Sequence, residues 1–203
     1  MRLFYVAGSP YARILRIALR VLALEHAVAE VETTLRDPAS SLLPVNPVGR
    51  VPTLLLADGT ALTETGLILG VLDRLSGRPP LLPPDDMPAL ARFGQVIGFL
   101  DGIAVWNREL RRPEHERSPG VIALETARAN RVADALERAV ASGGFAGPAM
   151  DAGRIALASA LGYCERRHRA WPWREGRPAL AAWLDGFAAD PAYQATMPPP
   201  SGL

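Results

Sequence analysis

Hydrophobic positions in the first third of the chain alternate between strand-like and helix-like spacing. Residues 3–6 form a short apolar run that predicts a β-strand. Residues 28–33 alternate between apolar and polar side chains and predict a second strand. Between them the apolar side chains share one face of a predicted helix that starts at Tyr11: Ile14, Ile17, Ala18, Val21 and Leu22. The β-α-β order indicates two parallel strands joined by a helical crossover.

The next segment predicts a hairpin and a second helix. Residues 36–50 carry several prolines and no regular period, so they are expected to be irregular. Two apolar runs, residues 53–56 and 61–63, flank Asp58-Gly59, and Asp-Gly suits a tight turn with positive φ. A helix is expected over residues 65–76.

After residue 86, every long segment of the chain has the spacing of apolar residues that is typical of a helix. Residues 77–86 contain four prolines and are predicted to form a linker. Helices are predicted over four spans, broken by proline and glycine: 87–111, 119–142, 151–169 and 177–188. The expected fold class is therefore a small mixed α/β domain, residues 1–76, followed by an all-α domain, residues 87–203.

Composition narrows the class of protein without giving a function. The chain has 203 residues, 49% of them hydrophobic, and a formal net charge of +1, which argues against a nucleic-acid partner. The lone cysteine, Cys164, allows no intrachain disulfide, and no export signal is evident, so a cytoplasmic location is expected. No apolar run approaches the roughly 20 residues that span a bilayer, so no membrane partner is expected.

Ser9-Pro10 stands between the first predicted strand and the first predicted helix. Serine is a preferred N-cap and proline a preferred first helical residue, so Ser9 caps the helix in the simplest interpretation. The same helix start has free N–H groups and a partial positive charge, which favour an anion. A hydroxyl there can also donate to a thiolate and lower its pKa. Tyr5, at the end of the first strand, is the rival hydroxyl.

Two further positions combine unusual backbone with polar groups. Pro52 stands at the entrance of a predicted strand, where it cannot donate a ladder hydrogen bond. A cis Val51-Pro52 bond would leave the Val51 N–H and C=O open to an extended peptide, although trans is the commoner state of such a bond. Glu64-Thr65 opens the next helix, where it either stabilises the helix start or holds an ammonium and a carboxylate.

In this order, three segments resemble the glutathione transferase superfamily. Residues 9–13, Ser-Pro-Tyr-Ala-Arg, are similar to the Ser-Pro-Tyr-x-Arg start of the first helix in bacterial members. Residues 46–54, Asn-Pro-Val-Gly-Arg-Val-Pro-Thr-Leu, resemble its Asn-Pro-x-Gly-Lys-Val-Pro-x-Leu segment, with Arg50 replacing a lysine. Residues 64–65, Glu-Thr, occupy its Glu-Ser position. The helical remainder matches in arrangement, with less specific sequence.

The resemblance implies a thioredoxin-like domain that binds glutathione, a helical domain that lines the pocket for an electrophile, and a homodimer. Glutathione would be a co-substrate, with no tightly bound cofactor and no metal. By the same resemblance, Ser9 faces the sulfur, with Tyr5 as the alternative, and Pro52 is cis. The residues that it assigns to glutathione are Ser9, Arg50, Val51, Pro52, Glu64 and Thr65.

The implied activity is attack of a glutathione thiolate on a small hydrophobic electrophile. Disulfide-reducing branches of the family have a cysteine where this chain has Ser9, so that chemistry is not expected. Two alternatives stay open: a glutathione-dependent isomerase, and a non-enzymatic binding or stress adaptor protein. Five side chains on the first long helix are expected near the electrophile, although core packing is the competing interpretation for the first three: Phe99, Ile103, Trp106, Asn107 and Arg111.

Overall fold

The computed structural model describes residues 1–147 and 150–200. Four strands and two helices come first in the chain: β1 Arg2–Tyr5, α1 Pro10–Val21, β2 Ala29–Glu32, β3 Thr53–Leu55, β4 Ala61–Leu62 and α2 Thr65–Ser76. Helices follow: α3 Met87–Leu110, α4 Pro119–Ala141, α5 Ala152–Arg167, α6 Pro178–Phe187 and α7 Pro191–Ala195, with a short 3₁₀ turn at Glu114–Glu116.

The four strands form one mixed sheet in the order β2-β1-β3-β4. β1 pairs in parallel with β2 and antiparallel with β3, which pairs antiparallel with β4. The predicted parallel β-α-β unit and the predicted hairpin are therefore confirmed. Residues 77–86 form neither helix nor strand between α2 and α3. The architecture is a thioredoxin-like unit followed by a helical unit.

Helix α1 lies in the middle of the molecule and packs on both parts. It contacts β1 and α2 on one side and α5 and α7 on the other. Its apolar side chains are almost completely buried, as the helical spacing predicts. Ile14, Leu15 and Ile17 belong to the same contiguous core as Val96 of α3 and Leu157 of α5.

A buried guanidinium joins α1 to the C-terminal helix. Arg13 is 1% exposed, and its Nη2 donates to the backbone oxygen of Tyr193 at 3.0 Å. Its guanidinium carbon lies 3.9 Å from the centre of the Tyr193 ring. Arg13 and Tyr193 both lie in close contact with Gly162 of α5. Because a buried charge is tolerated only with such partners, this contact specifies how the two parts meet.

The longest helix, α3, is more hydrophobic as a whole than the short apolar runs in its sequence predict. Among residues 1–147 and 150–200 it is the one helix long and apolar enough to cross a membrane, with a mean hydropathy of 1.2 in its best window. About half of that window, 44%, is buried inside the protein, where α3 packs against α4 and α5. Packing in the protein core therefore accounts for the apolar side chains of α3.

Most element boundaries agree with the prediction, and one helix was missed. α2 to α6 begin and end within three residues of the predicted spans. α7, Pro191–Ala195, was not predicted because five residues give too short a period to recognise. Its N-cap is Asp190, whose carboxylate accepts from the Tyr193 N–H at 2.9 Å.

We expect Gly162→Ala to destabilise the protein by roughly 1–3 kcal/mol, because overpacking forces neighbours to move. A Cβ on Gly162 would lie 2.5 Å from Arg13 Nη1 and 2.5 Å from the Tyr193 hydroxyl oxygen. Urea unfolding measures the change. Gly186→Ala is the matched control, since a Cβ there meets nothing within 4 Å, and alanine favours a helix by up to about 1 kcal/mol. Equal effects of the two changes would contradict the described packing.

Candidate functional site

The strand register brings three separate loops to one end of the sheet. Phe4 pairs with Thr53 in antiparallel register, so the chain that enters β3 through Val51 lies at the end of the sheet where β1 leaves it. Leu54 pairs with Leu62 in antiparallel register, so the chain that leaves β4 toward Glu64 lies at the same end. The Ser9 N–H donates to the Val6 oxygen at 2.8 Å. Residues far apart in the sequence thus meet where β1 ends and α1 begins.

Ser9 is the N-cap of α1, and its hydroxyl hydrogen remains available for a second hydrogen bond. Its φ and ψ are −85° and 118°, and its Oγ accepts from the Ala12 N–H at 3.2 Å, with Pro10 as the first helical residue. This is the cap that the Ser-Pro pair predicts. Among the described residues nothing accepts the Ser9 hydroxyl hydrogen. Ser9 can therefore cap the helix and donate to an anion at the same time.

The backbone N–H and C=O of Val51, just before β3, form no hydrogen bond with the described residues. The Val51–Pro52 peptide bond is cis. Within residues 1–147 and 150–200, neither the N–H nor the C=O of Val51 has a protein partner. Val51 is half-buried and Pro52 is buried, so these polar groups stand at an accessible edge. An extended peptide can pair with such an edge by strand addition.

A buried amide holds the loop that carries Val51. Asn46 is 3% exposed, and its Nδ2 donates to Thr53 Oγ1 at 2.9 Å and to the Arg50 oxygen at 3.3 Å. The Thr53 hydroxyl donates to the same Arg50 oxygen at 2.8 Å. This network positions the backbone on both sides of Val51, while the Arg50 side chain is exposed. Asn46 stands in the Asn-Pro-Val-Gly motif, and the motif alone does not indicate this positioning role.

Glu64 holds a backbone conformation that glutamate rarely adopts. Its φ is +67° and its ψ is 123°, and it is the N-cap of α2 without a side-chain capping bond. Such a conformation costs of order 1–3 kcal/mol and is concentrated at functional sites. The Glu64 side chain is exposed, whereas Thr65 beside it is 7% exposed. The exposed carboxylate and its strained backbone are the expected signs of a residue kept for binding.

The rival hydroxyl, Tyr5, is engaged with α1. The guanidinium carbon of Arg16 lies 4.1 Å from the centre of the Tyr5 ring. Burial raises the pKa of Tyr5, although the charge of Arg16 opposes the rise. The Tyr5 hydroxyl therefore keeps its proton at neutral pH and can still donate a hydrogen bond.

Most side chains predicted to line an electrophile pocket lie in the core instead. Phe99, Ile103, Trp106 and Asn107 are each at most 6% exposed. Their helical spacing marks the face of α3 that packs inward, so little of their surface is available to a second substrate. Arg111, at the end of α3, is exposed.

The buried end of α3 is tied to the end of α5 by polar contacts. Asn107 Nδ2 donates to the Arg167 oxygen at 2.5 Å and lies 3.1 Å from His168 Nδ1. The Trp106 and His168 rings meet edge to face, with centres 4.4 Å apart. Burial, followed by the nearby charge of Arg111, lowers the pKa of His168 to about 4. His168 is therefore a neutral packing residue at physiological pH.

Two contacts beside Ser9 were not evident from the sequence. The Tyr11 hydroxyl donates to Asp101 Oδ1 at 2.5 Å, and burial raises the pKa of Tyr11, so its proton stays in place. The Arg167 guanidinium lies against Gly8, where a Cβ would be 2.9 Å from Arg167 Nη2. Both contacts join α1 to distant helices, and no local pattern signals them.

In the described part of the chain, potential metal ligands are dispersed and the single cysteine is buried. Among residues 1–147 and 150–200, no three His, Cys, Asp or Glu side chains are grouped to hold a metal ion. Cys164 is fully buried in α5, and burial raises the pKa of its thiol. Its environment is that of a packing residue.

Comparison with known families agrees with this geometry. Residues 3–80 match the glutathione S-transferase N-terminal domain, and residues 119–186 match the glutathione S-transferase C-terminal domain. This chain belongs to the glutathione S-transferase superfamily. The resemblance of the three sequence segments and the predicted fold class are thereby confirmed.

Relatives in bacteria and plants span almost the whole chain. The chain is 26% identical over 205 residues to the uncharacterized GST-like protein YibF of Escherichia coli, covering 98% of this chain and 99% of YibF. It is 30% identical over 216 residues to the probable glutathione S-transferase BZ2 of Zea mays, covering 98% and 90%. A glutathione transferase family member from Pseudomonas fluorescens, solved with bound glutathione, has a TM-score of 0.89 and 29% identity, covering 98% of each chain.

Proposed function

We propose that this protein is a glutathione transferase, which binds glutathione and presents its thiolate to an electrophile. The observation that carries the proposal is the backbone of Val51, unpaired within the described residues, at the same end of the sheet as the open hydroxyl of Ser9. Glutathione is an extended tripeptide with a thiol in its middle residue. Its cysteinyl N–H and C=O match the free C=O and N–H of Val51, and its sulfur then points toward the start of α1.

The γ-glutamyl end of the tripeptide requires groups for an ammonium and a carboxylate. We propose that the exposed Glu64 carboxylate pairs with the ammonium, while Thr65 and the first N–H groups of α2 hold the carboxylate. Pro52 would shape the edge between them, and the exposed Arg50 side chain would supply positive charge. The glutathione bound in the Pseudomonas fluorescens relative supports this use of the fold.

Lowering the pKa of the bound thiol is the proposed catalytic step. A free thiol is mostly protonated at neutral pH, and only the thiolate is a good nucleophile. Ser9 would donate to the sulfur, and the partial positive charge of the α1 start would add to the effect. Each unit of pKa change corresponds to about 1.4 kcal/mol, so one hydrogen bond and one helix terminus suffice for a useful shift.

Domain organisation, cellular location and oligomeric state are also proposed. We propose residues 1–76 as the glutathione-binding domain, 77–86 as the linker and 87–203 as the domain that borders the electrophile, in a cytoplasmic enzyme. We also propose a homodimer. Large apolar side chains stand in solvent on helices from both domains, with Leu67 of α2 67% exposed and Leu124 of α4 56% exposed.

We expect Ser9→Ala to raise the apparent pKa of bound glutathione by about one unit or more, because a charge-assisted hydrogen bond contributes roughly 1.5–3 kcal/mol. The measurement is a thiolate absorbance titration of the complex, with turnover of an aryl halide recorded alongside. Tyr5→Phe is the matched control and should leave the pKa unchanged.

The reverse pattern, with Tyr5→Phe raising the pKa and Ser9→Ala silent, would transfer the role to Tyr5. Glutathione binding without turnover across a broad electrophile panel would favour the adaptor alternative. A protein that does not bind glutathione at all would end the proposal.

We expect Glu64→Gly to separate binding from stability. Glycine tolerates the positive φ of this position, so the free energy of unfolding should rise by roughly 1 kcal/mol, while glutathione affinity falls by about tenfold or more. Urea unfolding and isothermal titration calorimetry measure the two effects. Glu64→Gln, which keeps the Cβ and loses the charge, should weaken binding without the gain in stability. Unchanged affinity in both variants would remove Glu64 from the site.

A further inference from the structure

Arginine side chains hold the segment that follows α7. Residues 197–200 form neither helix nor strand, yet Pro198 is buried and Met197 is half-buried. Three successive residues each accept a hydrogen bond from a different arginine: Met197 Sδ from Arg13 Nη2 at 3.8 Å, the Pro198 oxygen from Arg166 Nε at 2.5 Å, and the Pro199 oxygen from Arg167 Nη1 at 3.2 Å. Residues 197–199, the proline strap, are therefore fixed against α1 and α5.

The composition of the proline strap explains how it keeps one path without regular structure. Proline has a fixed φ and no N–H, so residues 198–200 can neither pair as a central strand nor continue a helix. Their backbone oxygens can only accept, and guanidinium groups supply the donors at Pro198 and Pro199. Because prolines also restrict the unfolded chain, ordering such a segment costs little conformational entropy.

Arg167 connects the proline strap to the residue before Ser9. Its Nη1 donates to the Pro199 oxygen, while a Cβ on Gly8 would lie 2.9 Å from its Nη2, so the guanidinium lies directly against the Gly8 backbone. The backbone of Arg167 is held in turn by Asn107, whose Nδ2 donates to its oxygen at 2.5 Å. One guanidinium group therefore lies between the proline strap and the start of α1.

The turn that Arg167 contacts carries the proposed catalytic hydroxyl. The Ser9 N–H donates to the Val6 oxygen at 2.8 Å, so Gly8 lies within a tight turn between β1 and α1. Hydrogen bonds weaken steeply when their distance and angle depart from the preferred values. A small displacement of this turn would therefore weaken the bond between the Ser9 hydroxyl and a bound sulfur.

We propose that Arg167 is a positioning residue, which fixes the turn so that the Ser9 hydroxyl meets the glutathione sulfur, and that the proline strap keeps Arg167 in place. The Val51 backbone is held separately, through the Arg50 oxygen. Loosening the proline strap should therefore affect the thiol and leave the pairing of the tripeptide with Val51 intact. This inference rests on the proposed glutathione transferase function and adds to it a residue that controls the thiolate.

Two shortened chains test the proline strap. A chain ending at Met197 lacks both of the proline oxygens that accept from arginine. A chain ending at Pro200 keeps them and is the matched control, because each chain has a new terminal carboxylate. We expect the chain ending at Met197 to raise the thiol pKa of bound glutathione by about half a unit or more, and the control to keep the wild-type value. Thiolate absorbance titration measures the pKa.

Arg167→Gln tests the positioning residue. It should also raise the thiol pKa, and combining it with the chain ending at Met197 should raise the pKa no further than Arg167→Gln alone, because both changes break one connection. Arg169→Gln removes an exposed positive charge two residues along the chain and should keep the wild-type pKa. Affinity for S-methylglutathione, which has no thiol, should change by less than about threefold in every variant by calorimetry. Urea unfolding verifies that each variant is folded.

A wild-type thiol pKa in the folded chain ending at Met197 would overturn the role of the proline strap, and the same result in folded Arg167→Gln would overturn the role of Arg167. Both results would leave the glutathione transferase proposal standing. Additive shifts in the combined variant would contradict the inference, since the two would then act separately. A loss of S-methylglutathione affinity of about tenfold or more would also contradict it, because the groove for the tripeptide would have moved. Failure of the wild-type protein to bind glutathione and S-methylglutathione would refute the proposed function, and this inference with it.

Discussion

The unpaired backbone of Val51 is the feature around which the proposed site is arranged. A free N–H and C=O at a sheet end persist only where the surrounding chain is held by other bonds, and here Asn46 and Thr53 supply them through the Arg50 oxygen. The register of β1, β3 and β4 brings the segments that carry Ser9 and Glu64 to the same end of the sheet. Moving that loop would separate the groups that the proposed tripeptide must contact together.

The helical part of the molecule completes this arrangement through α1. Arg13 fixes α1 against Tyr193, while Gly8 and Tyr11 meet α5 and α3 on either side of Ser9. In the proposed enzyme, the start of α1 would face glutathione bound by the first part of the chain, with the helical part packed on its other side. The proposed chemistry at Ser9 would therefore depend on packing on both sides of this one helix.

Much of the fold can be predicted from the sequence, and so can those features of the site that lie within one short segment. Ser9-Pro10 predicts the cap of α1, and alternation between apolar and polar side chains predicts the sheet. Helical spacing identified the apolar face of α3 at Phe99 and Ile103, but spacing cannot tell a core from a pocket wall. The contacts of Tyr11 with Asp101 and of Gly8 with Arg167 depend on tertiary packing, which no local pattern encodes.

Hydrogen exchange at the Val51 amide tests the central claim most directly. We expect saturating S-methylglutathione to slow exchange of that amide by about tenfold or more, because the N–H gains a partner in the added strand. Measurement by NMR resolves this one proton from its neighbours. Bound S-methylglutathione with unchanged exchange at Val51 would contradict the account, since the tripeptide would then lie elsewhere.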